Sequence, residues 1–354
     1  MQKMNLKQLS FDEFDGFLRE LGWPKYRAQQ LRDWIYKKHV SRFDAMTNLS
    51  KSDRALLETR AMIGEPELVR QQRSTDGTQK FLFRLSDGQE IESVLIPDED
   101  RNTLCISTQV GCTLDCTFCL TGTMGLLRNL KAHEIVDQVL WVLRHLESRD
   151  PLTNVVLMGM GEPLANYREV TEALKRLTHP KMVGLTPRRI TLSTSGLVPQ
   201  IKRLGESGLN VNLAVSLNAT TNAVRDRLMP AVNKLYPLET LLRACRDYPL
   251  PPRRRIFFEY VLLKGVNDSE ADAHRLLRLL KGLRCKVNLI PFNDYPGAPF
   301  GCPDDETVLR FQKILIEGHL TAFIRKSRGR DILAACGQLR TETPSAPALI
   351  NSLS

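Results

Sequence analysis

The residues with the clearest chemistry are three cysteines in one short run, Gly111-Cys-Thr-Leu-Asp-Cys-Thr-Phe-Cys-Leu120, with a C-x3-C-x2-C spacing. Cysteine thiolates hold iron–sulfur clusters. Cys112, Cys116 and Cys119 can hold three irons of a cubane, which leaves the fourth iron open to a ligand, as catalytic metal sites are. The amino and carboxylate groups of S-adenosylmethionine can fill that position. An electron from the cluster can then break the sulfonium carbon–sulfur bond and produce a 5′-deoxyadenosyl radical.

Two other uses of these cysteines fit the sequence less well. Structural zinc takes four ligands, often as two C-x2-C pairs, but only Cys116 and Cys119 form such a pair and the six histidines are scattered. A disulfide framework belongs to secreted chains, and the first residues lack the pattern of a secretory signal. The eight cysteines therefore indicate a reducing compartment, and we expect a cytoplasmic protein.

Two further cysteines are candidates for sulfur chemistry. Cys105 lies seven positions before Cys112, and Cys336 follows a basic run. Positive charge lowers the pKa of a thiol and favours the thiolate, so Cys336 is a candidate nucleophile toward a sulfonium methyl donor. A buried, inert thiol is the ordinary alternative for both, and it is the interpretation kept for Cys245, Cys285 and Cys302. The basic run contains Arg325, Lys326, Arg328 and Arg330.

Polar or glycine-rich motifs follow several predicted strands. Glycines allow close backbone approach to a ligand, and hydroxyl and amide groups suit ribose and carboxylate contacts. The same groups could equally cap the next helix. The motifs are Gly159-Met-Gly161-Glu162-Pro163, Ser193-Thr-Ser-Gly196, Ser216-Leu-Asn-Ala219 and Asn293.

The elements that position these residues alternate between strand and helix from residue 103 onward. Such alternation predicts parallel strands with right-handed crossovers. Six units are too few for a closed eight-stranded barrel but suffice for an open partial one, with its site at the carboxyl ends of the strands. The clearest helix is 133–146. The predicted strands are Leu104–Thr108, Asn154–Met158, Arg189–Ser193, Asn212–Leu217, Phe257–Leu263 and Lys286–Ile290.

The rest of the chain suggests accessory regions. Residues 1–65 predict a small helical domain with helices near 11–21, 26–38 and 51–59. Residues 66–102 predict a short antiparallel β extension with strands Lys80–Leu85 and Glu90–Ile96. The α/β domain then occupies 103–339, and 340–354 predict a flexible tail.

The charge balance favours a polyanionic partner. Fifty basic and 40 acidic residues give a net charge of +10, which suits nucleic acid, although basic side chains often only solvate a surface. No apolar stretch approaches the ~20 residues of a membrane span, so no membrane is expected. The candidate phosphate-binding residues are Lys25, Arg27, Arg32, Lys37 and Lys38 of the helical domain, Arg253-Arg-Arg255 and the run 325–330.

Taken together, the motifs resemble the radical SAM RNA methyltransferases of the RlmN type, with the Cfr enzymes as relatives. The resemblance implies a partial (β/α)6 radical SAM barrel with the helical domain and β extension described above. It is based on the cysteine run and on Phe43-Asp-Ala-Met-Thr-Asn-Leu-Ser50, Arg128-Asn-Leu130, Met158-Gly-Met-Gly-Glu-Pro163, Arg189-Ile-Thr-Leu-Ser-Thr-Ser-Gly196, Asn288-Leu-Ile-Pro291 and Ala335-Cys-Gly-Gln338.

The resemblance also implies a role for each site residue. Cys336 would become S-methylcysteine, Cys105 would resolve a covalent RNA adduct and Glu92 would accept a proton. Asn218 stands where the family often has histidine, and Leu120 where a smaller residue is common. The [4Fe-4S] ligands would be Cys112, Cys116 and Cys119, and the S-adenosylmethionine contacts Gly161, Glu162, Ser193, Ser216, Leu217, Asn218 and Asn293.

The implied reaction methylates C2 of an adenosine in 23S rRNA and of the adenosine 3′ of the anticodon in tRNA. It would use two molecules of S-adenosylmethionine per turnover, one to methylate Cys336 and one to generate the radical. An external electron donor such as a flavodoxin and a monomeric enzyme are expected. Two alternatives stay open: C8 methylation of the same nucleotide, as in the Cfr enzymes, and a non-catalytic, zinc-stabilised RNA-binding protein.

Overall fold

The structure is a computed structural model that describes residues 3–99, 101–146 and 151–341. Its first part is helical, as predicted. Ser10 and Glu13 form a capping box at the start of the first helix, which fixes that boundary. The second helix ends in a π-helical turn, Asp33–Lys37. The elements are β1 Met4–Asn5, α1 Phe11–Glu20, α2 Lys25–Arg32, α3 Lys51–Arg60 and β2 Ala61–Met62.

The β extension has three strands, one more than the sequence predicted, and it continues into the main sheet. Its strands are antiparallel, and the last pairs with the first strand of the α/β region, with Val94 opposite Cys105. The additional strand is mostly polar and half-exposed, so it lacks the apolar alternation that reveals strands. These elements are β3 Glu67–Arg73, β4 Gln79–Arg84, β5 Glu90–Asp98 and β6 Arg101–Cys105.

The remaining elements confirm the alternation of strand and helix. A two-stranded hairpin, β7 with β8, frames the cysteine loop. The strands that follow are parallel, and a short edge strand, β14, was not predicted because only three residues form it. The elements are β7 Gln109–Gly111, β8 Leu126–Asn129, α4 Ala132–His145, β9 Leu152–Leu157, α5 Tyr167–Thr178, β10 Ile190–Thr194, α6 Val198–Glu206, β11 Asn212–Ser216, α7 Asn222–Leu228, α8 Pro230–Leu235, α9 Leu238–Asp247, β12 Ile256–Leu262, α10 Glu270–Leu280, β13 Cys285–Pro291, α11 Asp305–Glu317 and β14 Ala322–Ile324.

The central sheet of the described residues has ten strands in the order β14-β13-β12-β11-β10-β9-β6-β5-β4-β3. Its parallel part is an open partial barrel, because the strands follow one another in order without closing. The central strands carry consecutive buried residues, as in β11, which is the pattern of parallel strands covered on both faces. Within the described residues, no helix combines the length and the apolar character needed to cross a bilayer.

The helical region packs on the outside of this sheet through buried polar contacts. Lys7 Nζ lies 2.6 Å from Asp137 Oδ1, and both side chains are buried. Arg176 donates a hydrogen bond from Nη1 to the carbonyl oxygen of Lys7. A charge removed from water is tolerated when it is paired, so these contacts attach the start of the chain to α4 and α5.

The expected tail, 340–354, falls almost wholly outside the described residues. Its first two residues, Arg340 and Thr341, are described, and Thr341 is buried. The backbone N–H of Arg340 donates to Glu92 Oε2 at 2.8 Å. The last described residues therefore contact the β extension.

Candidate functional site

The cysteine loop is held in shape by the hairpin on which it sits. Gly111 has φ +76°, and a Cβ at this position would overlap the carbonyl oxygen of Gly125 on the opposite strand. The N–H of Cys112 donates to the same oxygen at 3.0 Å. Only glycine combines this φ with so close an approach. Gly111 therefore allows the backbone at the start of the cysteine loop to pack directly against the backbone at Gly125, where the loop returns to the hairpin.

The three thiols of the loop lie close to one another in a buried setting. Burial raises the pKa of Cys112, Cys116 and Cys119, and the charges of Cys112 and Cys119 raise the pKa of Cys116 further. Thiolates grouped in this way repel one another unless a cation lies between them. The set fits a positively charged iron centre, which binds cysteine as thiolate.

Within the described part of the chain, no three or more His, Cys, Asp or Glu side chains are grouped so as to hold a metal ion. In a cubane each thiolate binds a different iron, so Cys112, Cys116 and Cys119 would each turn toward its own iron when a cluster binds.

Gln109, at the start of β7, links the cysteine loop to the Gly159–Pro163 loop. Its Oε1 accepts from the N–H of Thr113 at 3.2 Å and from the N–H of Glu162 at 2.9 Å. Its Nε2 donates to Thr113 Oγ1 at 2.7 Å and to Asn129 Oδ1 at 2.8 Å. A Cβ on Gly161 would lie 2.6 Å from the Cβ of Gln109. Gly161 therefore lets its backbone pack closely against Gln109, a role that the sequence analysis did not predict.

The carboxyl ends of the parallel strands present polar atoms that the protein leaves unused. Asn293 is buried, and its Oδ1 has no hydrogen-bond partner within the described part of the chain. Its Nδ2 donates to the carbonyl oxygen of Cys336 at 3.2 Å. Ser193 lies within β10 and Ser216 at the end of β11, both half-buried. An orphaned buried acceptor is costly, and Asn293 Oδ1 fits a donor on a ligand such as S-adenosylmethionine.

The buried carboxylate of Glu162 binds the backbone on two sides. Oε1 accepts from the N–H of Leu164 at 2.9 Å, and Oε2 accepts from the N–H of Ser195 at 2.7 Å. Burial raises the pKa of this carboxyl, and the backbone hydrogen bonds oppose that rise. The side chain thus ties the loop after β9 to the loop after β10.

Leu217 and Asn218, after β11, are both buried. Asn218 adopts φ +56°, its Oδ1 accepts from the N–H of Val261 at 2.9 Å and its Nδ2 lies 3.4 Å from Met229 Sδ. The amide of Asn218 is therefore engaged within the protein. The fully buried Arg225 donates to the carbonyl oxygens of Leu217 at 3.3 Å and Ser195 at 2.7 Å. This guanidinium joins the loops after β10 and β11.

The segment that carries Cys336 packs directly on the cysteine loop. The N–H of Leu120 donates to the carbonyl oxygen of Gly337 at 2.7 Å, and Thr121 Oγ1 donates to that of Leu339 at 2.5 Å. Gln338 Nε2 donates to the carbonyl oxygen of Asp294 at 2.7 Å. These contacts bring Cys336 beside the cysteine loop although it lies more than 200 positions along the chain.

The structure brings Cys105, Cys336 and the cysteine loop together. Charge on Cys336 raises the pKa of Cys105, and charge on Cys119 raises that of Cys336. The expectation of a lowered Cys336 pKa is wrong for the protein alone, because desolvation outweighs the effect of Arg325 and Glu259 adds to the rise. Cys336 nonetheless keeps part of its surface exposed to solvent.

Glu92, on β5, contacts the chain just after the Cys336 segment, and its backbone packs against Ser107 and Met160. Its Oε1 lies 3.0 Å from Lys80 Nζ, and its Oε2 accepts from the N–H of Arg340 at 2.8 Å. Burial raises the pKa of Glu92, and Lys80 opposes the rise. The carboxylate for which the resemblance implies proton acceptance is therefore buried and paired.

Several residues of this region were not singled out from the sequence. In the sequence, Gln109, Arg225 and Lys80 are isolated polar residues that belong to no spaced motif. Only their burial in the structure indicates that they have a role in the site. Glu259, on β12, is buried and accepts from Asn288 Nδ2 at 2.8 Å. By contrast, Arg253-Arg-Arg255 precedes β12 and so lies at the amino ends of the strands, on the face opposite the site.

The chain matches known families over most of its length. Residues 106–277 match the Radical SAM superfamily, and residues 4–63 match the ribosomal RNA large subunit methyltransferase N-terminal domain. A solved structure described as a radical SAM methyltransferase from Sphaerobacter thermophilus is similar with a TM-score of 0.91 and 48% identity. It covers 95% of this chain and 99% of its own. The predicted fold class is thereby confirmed.

Curated relatives give the same result over nearly the full length. The dual-specificity RNA methyltransferase RlmN of Syntrophus aciditrophicus (strain SB) is 52% identical over 339 residues, which cover 96% of this chain and 97% of the relative. The protein of the same description from Geotalea uraniireducens (strain Rf4) is 51% identical over 340 residues, with 96% and 97% covered. This chain therefore belongs to the RlmN family of radical SAM RNA methyltransferases.

Proposed function

We propose that this protein methylates C2 of a specific adenosine in 23S rRNA and of the adenosine 3′ of the anticodon in tRNA. Relatives described as dual-specificity RNA methyltransferases, about half identical over nearly the whole chain, support this proposal. The observation that carries it is the packing of the Cys336 segment on the cysteine loop, where Leu120 and Thr121 donate hydrogen bonds to the carbonyl oxygens of Gly337 and Leu339. C8 methylation is not favoured, since these relatives bear the RlmN description. A zinc-stabilised protein without catalysis is likewise not favoured.

The residues of the site fit an iron–sulfur cluster and S-adenosylmethionine. Cys112, Cys116 and Cys119 would hold the cluster, which takes thiolate ligands. Asn293 supplies an unpartnered buried acceptor. When bound, the two groups supply a methyl group and a hydrogen-abstracting radical. The remaining contacts with S-adenosylmethionine would come from Gly161, Glu162, Ser193, Ser216, Leu217 and Asn218 at the strand ends.

Three side chains of the protein then act on sulfur and on the substrate base. Cys336 carries the methyl group, because adenine C2 is electron-poor and does not attack a sulfonium directly. Glu92 accepts the C2 proton once the base is attached to the Cys336 sulfur substituent. Cys105 attacks the sulfur of Cys336 and breaks the bond between that sulfur and the methylene carbon. The carbon takes up the thiol proton and leaves as the methyl group of the base, the two sulfurs form a transient disulfide, and the unpaired electron left by the radical addition passes to the one-electron partner. Burial raises the pKa of both thiols, so each thiol has to lose its proton when its sulfur attacks.

The substrate base must reach Cys336 and Glu92, so it has to leave its stack. Basic side chains of the helical domain and of the run 325–330 would bind phosphates, except Arg32, which is buried and paired with Asp15. Tyr26, 58% exposed, stacks with the guanidinium of Arg27 5.5 Å from its ring centre, a pairing that suits contact with single-stranded RNA. Arg253-Arg-Arg255, on the opposite face, would contact only distant parts of a large RNA.

The cellular setting follows from the reaction. We propose two molecules of S-adenosylmethionine per turnover, an external one-electron donor such as a flavodoxin, a cytoplasmic location and a monomeric enzyme. We also propose residues 1–65 as the RNA-binding accessory domain, 66–102 as the β extension and 103–339 as the catalytic domain.

The test is the mass and retention of the modified nucleoside. Protein purified without oxygen, with unmodified tRNA and 23S rRNA fragments, S-adenosylmethionine and a reductant, should yield 2-methyladenosine. Only 8-methyladenosine would contradict the proposed position. Iron analysis of the same sample should give about four irons per chain. Zinc-containing, colourless protein without methylation would remove the enzymatic proposal.

A further inference from the structure

Lys80 is a buried cation next to the proposed proton acceptor. It lies on β4 with 8% of the residue exposed, and Glu92 is 4% exposed. Lys80 is opposite Val94 in the β4–β5 register, so Glu92 is its diagonal neighbour on the same face. The two charged groups lie 3.0 Å apart. Lysine is almost never this buried unless it is paired, so the pair is a defined feature of the site.

Both members of the pair also contact the segment that carries Cys336. Lys80 Nζ donates to the carbonyl oxygen of Leu333 at 3.3 Å. The N–H of Arg340 donates to Glu92 Oε2 at 2.8 Å. One contact precedes Cys336 in sequence and the other follows it. The carrier thiol is thus bracketed by contacts to a single buried ion pair.

The β extension anchors the same segment at a third place. Asp331 accepts hydrogen bonds from Ser74 Oγ at 2.6 Å and from the N–H of Thr75 at 3.1 Å. Asp76 accepts from the N–H of Gly329 at 2.9 Å. The hydrogen bonds lower the pKa of Asp76 to about 2, so it stays ionised at neutral pH. The extension is therefore the platform on which the segment docks.

We propose that Lys80 is a positioning residue that holds Glu92 as an oriented anion, and that docking of the Cys336 segment completes this arrangement. The inference rests on the proposed function, in which Glu92 accepts the C2 proton. The proton passes from the substrate carbon to the Glu92 carboxylate, and Lys80 takes no part in the transfer itself. Proton removal is thereby confined to the state in which the methyl carrier is in place.

The charges around Glu92 give the sign of the effect. Desolvation raises its pKa, while Lys80, the N–H of Arg340 and the more distant Arg70 on β3 act in the opposite direction. The titratable group from β6 is Cys105, a thiol whose pKa burial raises, so it is neutral near pH 7. Loss of Lys80 therefore raises the pKa of Glu92 further. A carboxylate accepts a proton only when ionised, so the acid limb of the rate profile moves to higher pH.

The experiment compares single-turnover methyl transfer to tRNA across pH for wild-type enzyme, Lys80→Met, Lys80→Arg and Glu92→Gln, all with the cluster present. Formation of 5′-deoxyadenosine is measured in the same samples. Lys80→Met is expected to shift the acid limb upward, to slow methylation at neutral pH and to recover at alkaline pH. Lys80→Arg should restore most of the wild-type profile. The matched control is Lys313→Met, which removes a surface lysine paired with Glu317 at 3.8 Å.

Glu92→Gln tests the proposed function separately from the positioning role of Lys80. A loss on the order of 10²-fold or more is expected if Glu92 is the base; an unchanged rate would contradict the proposed function. If Glu92→Gln is slow but Lys80→Met keeps the wild-type pH profile, the inference about Lys80 is overturned. Should Lys80→Met not fold, the double variant Lys80→Met/Glu92→Gln replaces the pair by neutral groups. It should fold and be no slower than Glu92→Gln alone, and an additional loss would refute the positioning role.

Discussion

The two sides of the site are built from different kinds of contact. On one side, the cysteine loop and the strand-end loops are joined by single polar side chains that hydrogen-bond to the backbone, namely Gln109, Glu162 and the buried Arg225. On the other, the β extension holds the Cys336 segment with an ion pair, Lys80–Glu92, and with Asp331. Glu92 and Glu162 are both buried, yet of the two only Glu92 has a cation beside it. Under the proposed function, the first side would hold the cofactors and the second would perform the sulfur and proton chemistry.

Replacement of Cys336 by alanine should have the largest effect. Because Cys336 would carry the methyl group, Cys336→Ala is expected to abolish methylation while 5′-deoxyadenosine formation continues. Chromatography of nucleosides and of cleaved S-adenosylmethionine measures both. Residual methyl transfer would show that Cys336 does not carry the methyl group.

Replacement of Cys105 should stop the reaction one step later. Cys105→Ala removes the thiol that attacks Cys336, so a covalent protein–RNA adduct should accumulate and multiple turnover should cease. A shifted band on a denaturing gel, sensitive to both ribonuclease and protease, measures the adduct. Cys245→Ala is the matched control, since Cys245 is a buried thiol on α9, away from the strand ends. Normal turnover by Cys105→Ala would remove its assigned role.

A change on the first side should instead impair both activities together. Gly111→Ala introduces a Cβ that overlaps the carbonyl oxygen of Gly125, and a non-glycine residue at positive φ costs about 1–3 kcal/mol in addition. We expect reduced iron content and parallel loss of S-adenosylmethionine cleavage and methylation. Gly88→Ala is the control, because Gly88 also has positive φ (+83°) but no atom within 4 Å of the added Cβ. Full iron content in Gly111→Ala would contradict the close packing of Gly111 against Gly125.

The smallest expected effect is on stability. The Glu162 carboxylate accepts from the backbone N–H groups of Leu164 and Ser195, and in Glu162→Gln one of these donors would face the amide N–H₂ group instead of an oxygen. Because loss of a hydrogen bond to a charged group costs about 2 kcal/mol, the free energy of unfolding should fall by about that amount. Denaturant unfolding measures this loss of stability. A binding titration should also show weaker affinity for S-adenosylmethionine. Glu92→Gln should cost methylation rate while S-adenosylmethionine binding is kept. If the two variants behave alike, the distinction between the two sides fails.

The sequence was most informative where local patterns determine structure. The six predicted strands and the 133–146 helix were confirmed within a few residues, because alternating apolar runs and helical periodicity are properties of short segments. The cysteine spacing likewise depends on one loop. The edge strand β14 and the polar strand β3 were missed, since neither carries enough buried apolar residues to stand out.

Contacts between distant segments were beyond sequence reasoning. The Lys80–Glu92 pair depends on an antiparallel register and on the return of residues 333–340 to the β extension. The sign of the Cys336 pKa shift was wrong because a basic run is visible in sequence but desolvation is not. The roles of Gln109 and Arg225 follow only from hydrogen bonds across loops that are far apart along the chain. The roles assigned to the site residues stay predictions.

The order in which the two sides are synthesised has a consequence for the newborn protein. Every cysteine of the loop leaves the ribosome long before Cys336, which must then dock on strands made much earlier. A polypeptide cut short near residue 330 would keep the cysteine loop but would lack both Cys336 and the carbonyl groups of Gly337 and Leu339 that accept hydrogen bonds from that loop. Premature termination would therefore leave the cysteine loop without its packing partner as well as without the proposed methyl carrier.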